Sequence, residues 1–187
     1  GGVRKELEVG TEMFFLNNKL GLGTQVHLLK ATAHHLPFTD NTFNGATMLH
    51  VGMNIADKVK AFKEIYRCLR KGSTFLLYDV MRVNQGDIKY PLPWSTTEEH
   101  SFIATSEYYE KALRIAGFEM ITTNNRRDFS LNFFNQQAIK IKTQSTKPLL
   151  SLQTLFRENA KIKFINLINQ IKSNILAPVE IIAVKRD

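Results

Sequence analysis

The chain has 187 residues, a length that predicts one domain, and a formal net charge of +8 at pH 7. Its 43% hydrophobic content supports a sizeable core and excludes a disordered chain. The single cysteine, Cys68, excludes an intrachain disulfide scaffold and fits a reducing, cytoplasmic setting. No apolar run approaches the ~20 residues of a membrane helix, so no membrane partner is expected. The opening Gly-Gly-Val-Arg-Lys-Glu carries no apolar segment of the signal-peptide kind. The charge is unevenly spread. Residues 1–125 hold 14 basic and 13 acidic side chains, whereas residues 126–187 hold 11 and 4. The excess therefore belongs to the last third.

In chain order, Val3, Leu7, Met13, Phe14, Leu16 and Leu20 recur at helical spacing and predict a helix over residues 3–20. Gly21-Leu22-Gly23 reads as its stop. A short apolar strand is predicted over residues 25–29, then a loop marked by Pro37, Asp40 and Asn41. A second strand is predicted over 45–49. Its run is nearly all apolar, as in a strand buried on both faces. Val59, Phe62, Tyr66 and Leu69 form one stripe of a helix over 57–70, with Gly72 as its expected C′ residue. A third strand follows over 74–78 and ends at Asp79. A long loop over 80–104 contains Pro91, Pro93 and Trp94. Thr105 or Ser106 caps a helix over 105–116, Gly117 closes it, and residues 118–123 read as a strand. A basic, mostly helical region spans 131–175, its second helix starting at Ser151. Pro178 precedes a last strand over 179–184. This alternation predicts an α/β chain with a mostly parallel sheet.

Several ordered pieces carry a resemblance. They are Leu36-Pro37-Phe38, Phe43-Asn44, Leu69-Arg70-Lys71-Gly72-Ser73 and Ala116-Gly117-Phe118. Together they resemble the second half of a class I S-adenosylmethionine-dependent methyltransferase. The small-molecule branch that includes sarcosine and dimethylglycine methyltransferases is the nearest in pattern. The resemblance implies a partial Rossmann-like sheet with strands equivalent to the family's third to seventh, and a helical insertion before the last strand. It implies S-adenosylmethionine as cofactor and a small-molecule acceptor. The family's glycine-rich turn after strand one, and the acidic residue after strand two, have no counterpart in this reading. Gly21-Leu22-Gly23 follows a helix and precedes a strand, the reverse of the cofactor loop's order. The expectation is therefore a single truncated domain over 1–187, with a cap insertion over 131–175 and weak or absent cofactor binding. Strand order 4-5-7-6 would leave an exposed edge at 44–50. That edge is expected to be covered by rearrangement or by a second copy, making a homodimer possible.

The candidate site residues follow from strand ends, where doubly wound sheets bind ligands. Thr32-Ala33 matches the family's Asp-Ala, whose carboxylate meets the adenine amino group. An ordinary loop threonine is the alternative. His50 ends a strand at the family's position nearest sulfonium and acceptor, so it is a candidate for both catalysis and cofactor contact. An imidazole there can orient or deprotonate an acceptor; a satisfied structural histidine is the alternative. Asp79 and Arg82 lie on the expected substrate side, the first suited to an ammonium and the second to a carboxylate. A simple ion pair is equally open. Trp94, with Tyr90, Pro91 and Pro93, is either an aromatic lid, suited to a methylated cation, or an anchor for the loop. His34 and His35 read as solvated, His27 as structural and Cys68 as packing. No carboxylate or thiolate stands at ligand spacing from the histidines, so no metal is expected.

Two other functions remain open at this point. One is a non-catalytic dimerisation or interaction module. The other is anionic-ligand or nucleic-acid binding through residues 126–187. There Arg126, Arg127, Lys161, Lys163 and Lys172 interleave with Phe129, Phe133, Phe134, Phe156 and Phe164. At helical spacing such aromatics are more often core than stacking platforms, and nucleic acid is the lesser expectation.

Overall fold

The computed structural model describes residues 19–21, 25–143 and 160–186. The predicted helix over 3–20 lies almost wholly outside them, as do Phe156 and the start of the second cap helix. The chain divides into two compact units, Gly1–Pro37 and Phe38–Asp187.

In the first unit, residues 26–30 are irregular and exposed rather than the predicted strand. A strand is stable only when a ladder takes up its N–H and C=O groups, and none of the described strands pairs with this segment. Among the described residues of this unit, a bridge joins Thr32 to His35.

The second unit is built on a four-stranded sheet of order β1-β2-β4-β3. The strands are β1 (Phe43–Leu49), β2 (Leu69–Arg82), β3 (Glu119–Asn125) and β4 (Leu176–Val184). β1 pairs parallel with β2, while β4 runs antiparallel to both β2 and β3. The order is the expected 4-5-7-6, but with one parallel and two antiparallel pairings the described sheet is not the mostly parallel one predicted, because β4 returns between β2 and β3. The two central strands are the most buried, and β3 alternates between exposed and half-buried residues, as an edge strand does.

One helix pair covers one face. α1 (Lys58–Cys68) begins at Asp57, whose side chain accepts from Lys60 N at 2.9 Å. α2 (Ser106–Ala116) begins at Thr105, which accepts from Tyr108 N at 3.3 Å. Such caps satisfy amides that the first helical turn leaves open. Gly117 ends α2 at φ +106°, a left-handed conformation that disfavours any Cβ. Phe62 stacks edge-on against Phe75 of β2 with centroids 5.9 Å apart, and both are fully buried. Opposite, α3 (Arg127–Thr143) and α4 (Ala160–Lys172) form the cap.

Two boundaries differ from expectation. α1 ends at Cys68 and the chain passes straight into β2 through an extended Leu69. Gly72 is therefore not a helix C′ residue. It sits in an irregular stretch of β2 at φ +79°, where its N–H donates to Lys185 O at 2.6 Å. β4 starts before Pro178 rather than after it. The Pro178 carbonyl accepts from Arg126 N at 2.8 Å, just beyond the end of β3. A residue's N–H and C=O point to the same side of an antiparallel strand, so the missing donor falls where β3 has already stopped and the ladder loses little.

Candidate functional site

Alternation along β2 sends successive side chains to opposite faces of the sheet. Tyr78 and Val80 face α3 and α4, where a cavity of about 460 Å³ opens. His50 and Met53 close it at the C-terminal end of β1. α3 contributes Phe129, Phe133 and Phe134, and α4 contributes Phe164, Leu167 and Ile171. Trp94 and Pro93 come from the long loop. Below the cavity, Met53, Val80, Leu167 and Ile171 join Leu92 and Leu176 in a buried cluster. The wall is thus continuous with the core.

His50 sits in the left-handed region at φ +55°, unusual for a residue with a side chain. Its N–H donates to Tyr78 O at 2.8 Å, and its ring meets the Tyr78 ring edge-on with centroids 5.3 Å apart. The residue as a whole remains exposed, yet desolvation of the ring lowers its pKa from the usual 6.5. The imidazole is neutral at pH 7 and able to accept a proton.

Trp94 is half-buried, and its Nε1 donates to Ser101 Oγ at 3.1 Å. The loop that carries it is tied to α4. Gln170, 3% exposed, accepts from Lys89 N and donates to Lys89 O, both at 2.9 Å. Asn166 Nδ2 donates to Pro91 O at 3.1 Å.

Asp79 takes the opposite face. It is fully buried, accepts from the Tyr109 hydroxyl at 2.7 Å and from Val80 N at 3.1 Å, and does not line the cavity. Burial pushes its pKa up to about 6 against these hydrogen bonds. Lys58, 2% exposed, is held down to about 8 by the same cause, partly countered by the charge of Asp79. Its Nζ donates to Ile55 O at 2.8 Å and Phe102 O at 2.7 Å. Phe102 N in turn donates to Met53 O at 2.8 Å. This buried network fixes the turn that carries Met53. Arg82 donates to Gly86 O at 2.8 Å within its own loop. In the first unit, Thr32 Oγ1 is exposed and accepts from His34 N at 3.3 Å, and Ala33 is half-buried.

Of the sequence candidates in the second unit, the structure brings His50 and Trp94 to one cavity and leaves Asp79 and Arg82 outside its wall. Sequence reasoning missed Tyr109, Lys58 and Gln170 as positioning groups. Each is a single side chain far in sequence from its partner, with no local pattern to expose it. The cap phenylalanines were visible as an interleaved series, but not as a cavity wall. Among the described residues, no group of three His, Cys, Asp or Glu side chains is placed to hold a metal, and no helix is long and apolar enough to cross a membrane.

Comparison with known proteins bears on the family resemblance and the fold. Residues 7–77 match the methyltransferase domain family. A ubiquinone/menaquinone biosynthesis C-methyltransferase from Haemophilus ducreyi is 37% identical over 73 residues, which are 39% of this chain and 27% of that protein. A demethylmenaquinone methyltransferase from Lactiplantibacillus plantarum is 30% identical over 108 residues, covering 53% of this chain and 46% of that protein. The fold matches the crystal structure of a protein provisionally assigned as a sarcosine dimethylglycine methyltransferase from Galdieria sulphuraria. That match has a TM-score of 0.72 at 18% identity and covers 95% of this chain and 66% of the other. The chain therefore matches less than half the length of these curated relatives. The matched segment is similar to the methyltransferase domain family, and the chain shares the fold of the solved methyltransferase.

Proposed function

We propose that the chain serves S-adenosylmethionine-dependent methyl transfer to a small-molecule acceptor seated in the cavity beside His50. The observation that carries this reading is His50 itself. A neutral imidazole, in a strained backbone conformation, stands at the end of a parallel strand and on the rim of a half-open apolar cavity. Strained residues of this kind cluster at functional sites, and such cavities are the usual place for a small ligand.

S-adenosylmethionine supplies the activated methyl group when bound. The protein's part is to orient the acceptor, keep water out and receive one proton. His50 takes the proton that the acceptor loses. Tyr78 and Trp94 hold the acceptor against the end of β1. Thr32 is the candidate for the adenine edge, with Ala33 beside it. Its hydroxyl is exposed and able to bond, but it is neutral and shorter than a carboxylate. That fit is partial, and the expected affinity is weaker than micromolar.

The test has two parts. Calorimetry should show S-adenosylmethionine binding weaker than micromolar, and a Thr32→Asp variant should bind more tightly. At saturating cofactor, S-adenosylhomocysteine should form with the wild-type chain and fall by roughly 10²–10⁴-fold in His50→Ala. Equal turnover in both proteins would remove His50 from the mechanism. Bound cofactor with no product from any acceptor would overturn the activity.

A further inference from the structure

We infer that the cavity is built for a neutral, predominantly apolar acceptor and rejects ammonium and amino-acid acceptors. This rests on the cavity being the acceptor site proposed above, and it deepens that reading.

The character of the cavity is set by the side chains that face it. Its wall holds phenylalanines from α3 and α4, with Met53, Val80 and Leu167 between them. Among the described residues, His50 is the one lining residue able to carry positive charge, and no Asp, Glu, Lys or Arg lines the cavity. Tyr78 and Ser130 add hydroxyls, and the Ser130 hydroxyl already donates to Arg127 O at 2.7 Å. Of the nearby charged groups, Glu180 and Arg126 flank Tyr78 and are ion-paired to each other at 2.8 Å. Asp79, the one carboxylate on this part of β2, is turned to the other face and bonded to Tyr109. Lys58 is bonded to two backbone carbonyls, and Arg82 to Gly86 O. Among the described lining residues, an ammonium acceptor would find no carboxylate, and a carboxylate acceptor no guanidinium. A buried charge is tolerated only when paired and hydrogen-bonded.

Aromatic walls also attract methylated ammonium groups. Here no carboxylate is among the described lining residues to balance such a cation. The wall therefore favours a hydrocarbon or aromatic ring system bearing one polar group, which His50 would meet. The residue types at the mouth agree. Phe129 and Phe133, which line the cavity, remain 67% and 46% exposed, so apolar surface extends outward from the site.

The experiment uses the full chain without cofactor, so that acceptor binding is read independently of methyl transfer. The neutral fluorophore N-phenyl-1-naphthylamine is titrated and its emission followed. Saturable binding is expected, displaced by a neutral isoprenoid alcohol such as geraniol. Choline and dimethylglycine should fail to displace it at 100-fold higher concentration. Leu167→Arg should weaken the probe at least tenfold. Phe133→Ser, at a half-exposed position, gives the same readout if the first variant does not fold. Displacement by choline or dimethylglycine at concentrations like those of geraniol would overturn the inference, and so would unchanged probe affinity in Phe133→Ser together with any folded Leu167→Arg. If the probe binds as expected but saturating cofactor yields no product, the acceptor class stands and the methyl-transfer reading fails.

Discussion

The Tyr109 hydroxyl donates to Asp79 Oδ2 at 2.7 Å, joining the first half of α2 to the central strand β2 beneath the cavity floor. Both residues are fully buried. The bond lies one sheet thickness from the acceptor site, and it holds in place the layer on which that site rests.

Asp79 makes stability depend on pH. Its carboxyl titrates near pH 6 in the folded protein, against an ordinary value of 3.8. A raised folded value means that the protonated form is favoured by folding. The contribution is complete below pH 3.8 and is lost as pH rises through about 6, amounting to about 3 kcal/mol. Asp79→Asn keeps an acceptor for Tyr109 and cannot ionise. Chemical denaturation at pH 4 and pH 7 should show the wild type losing more stability than this variant across that interval. Parallel losses would contradict the raised value.

Gly52 is fixed by close approach. A Cβ added there would stand 2.5 Å from Asp79 Oδ2 and 2.8 Å from the Tyr109 hydroxyl oxygen. Gly52→Ala should destabilise the fold by about 1–3 kcal/mol through overpacking. A thermal melt would register this as a fall in Tm, and an unchanged Tm would mean that the pair yields at no cost.

His50 sets function against backbone comfort. Glycine accepts a φ of +55° without strain, but it forfeits the edge-on contact with Tyr78. His50→Gly should therefore stay within about 1 kcal/mol of wild-type stability while losing methyl transfer. The rate in the wild type should level off at a lower pH than an ordinary imidazole would give, because desolvation lowers the pKa of the ring. A rate still climbing between pH 7 and 8 would point to another base.

Gln170 bonds both backbone groups of Lys89 from a buried position. Gln170→Leu keeps an apolar bulk and strands one N–H and one C=O. The cost should be about 1–3 kcal/mol, and hydrogen exchange should quicken first between residues 84 and 95. Uniform acceleration across the chain would instead indicate global loss of stability.

The outer side of β1 has no partner among the described strands. We expect a second copy to cover it. Sedimentation should show a dimer at micromolar concentration, dispersed by a lysine at Thr47. A monomer at every concentration would refute this.

Much of the second unit was readable in advance because it is built from local signals. The stripe through Phe62 and Tyr66, the Thr105 cap and Gly117 each act within one or two turns of chain, and strand order followed from the family resemblance. Residues 25–29 misled because apolar content alone does not make a strand; a ladder partner does, and composition is blind to it. Gly72 misled because a positive φ serves an irregular strand as well as a helix end. His50 was legible at the site because it marks a strand end. Asp79 was legible as a special residue, but alternation along β2, whose register the sequence left open, decides that it faces Tyr109 rather than the cavity.

The position of β4 has a consequence for how the protein comes into being. β3 is hydrogen-bonded within the sheet only through β4 among the described strands, and β4 is made more than 50 residues later. On the ribosome, β1, α1 and β2 can associate early, whereas β3 must wait unpaired while the cap is synthesised. Emergence of β4, rather than completion of the cap, is the moment at which the floor of the site first becomes whole.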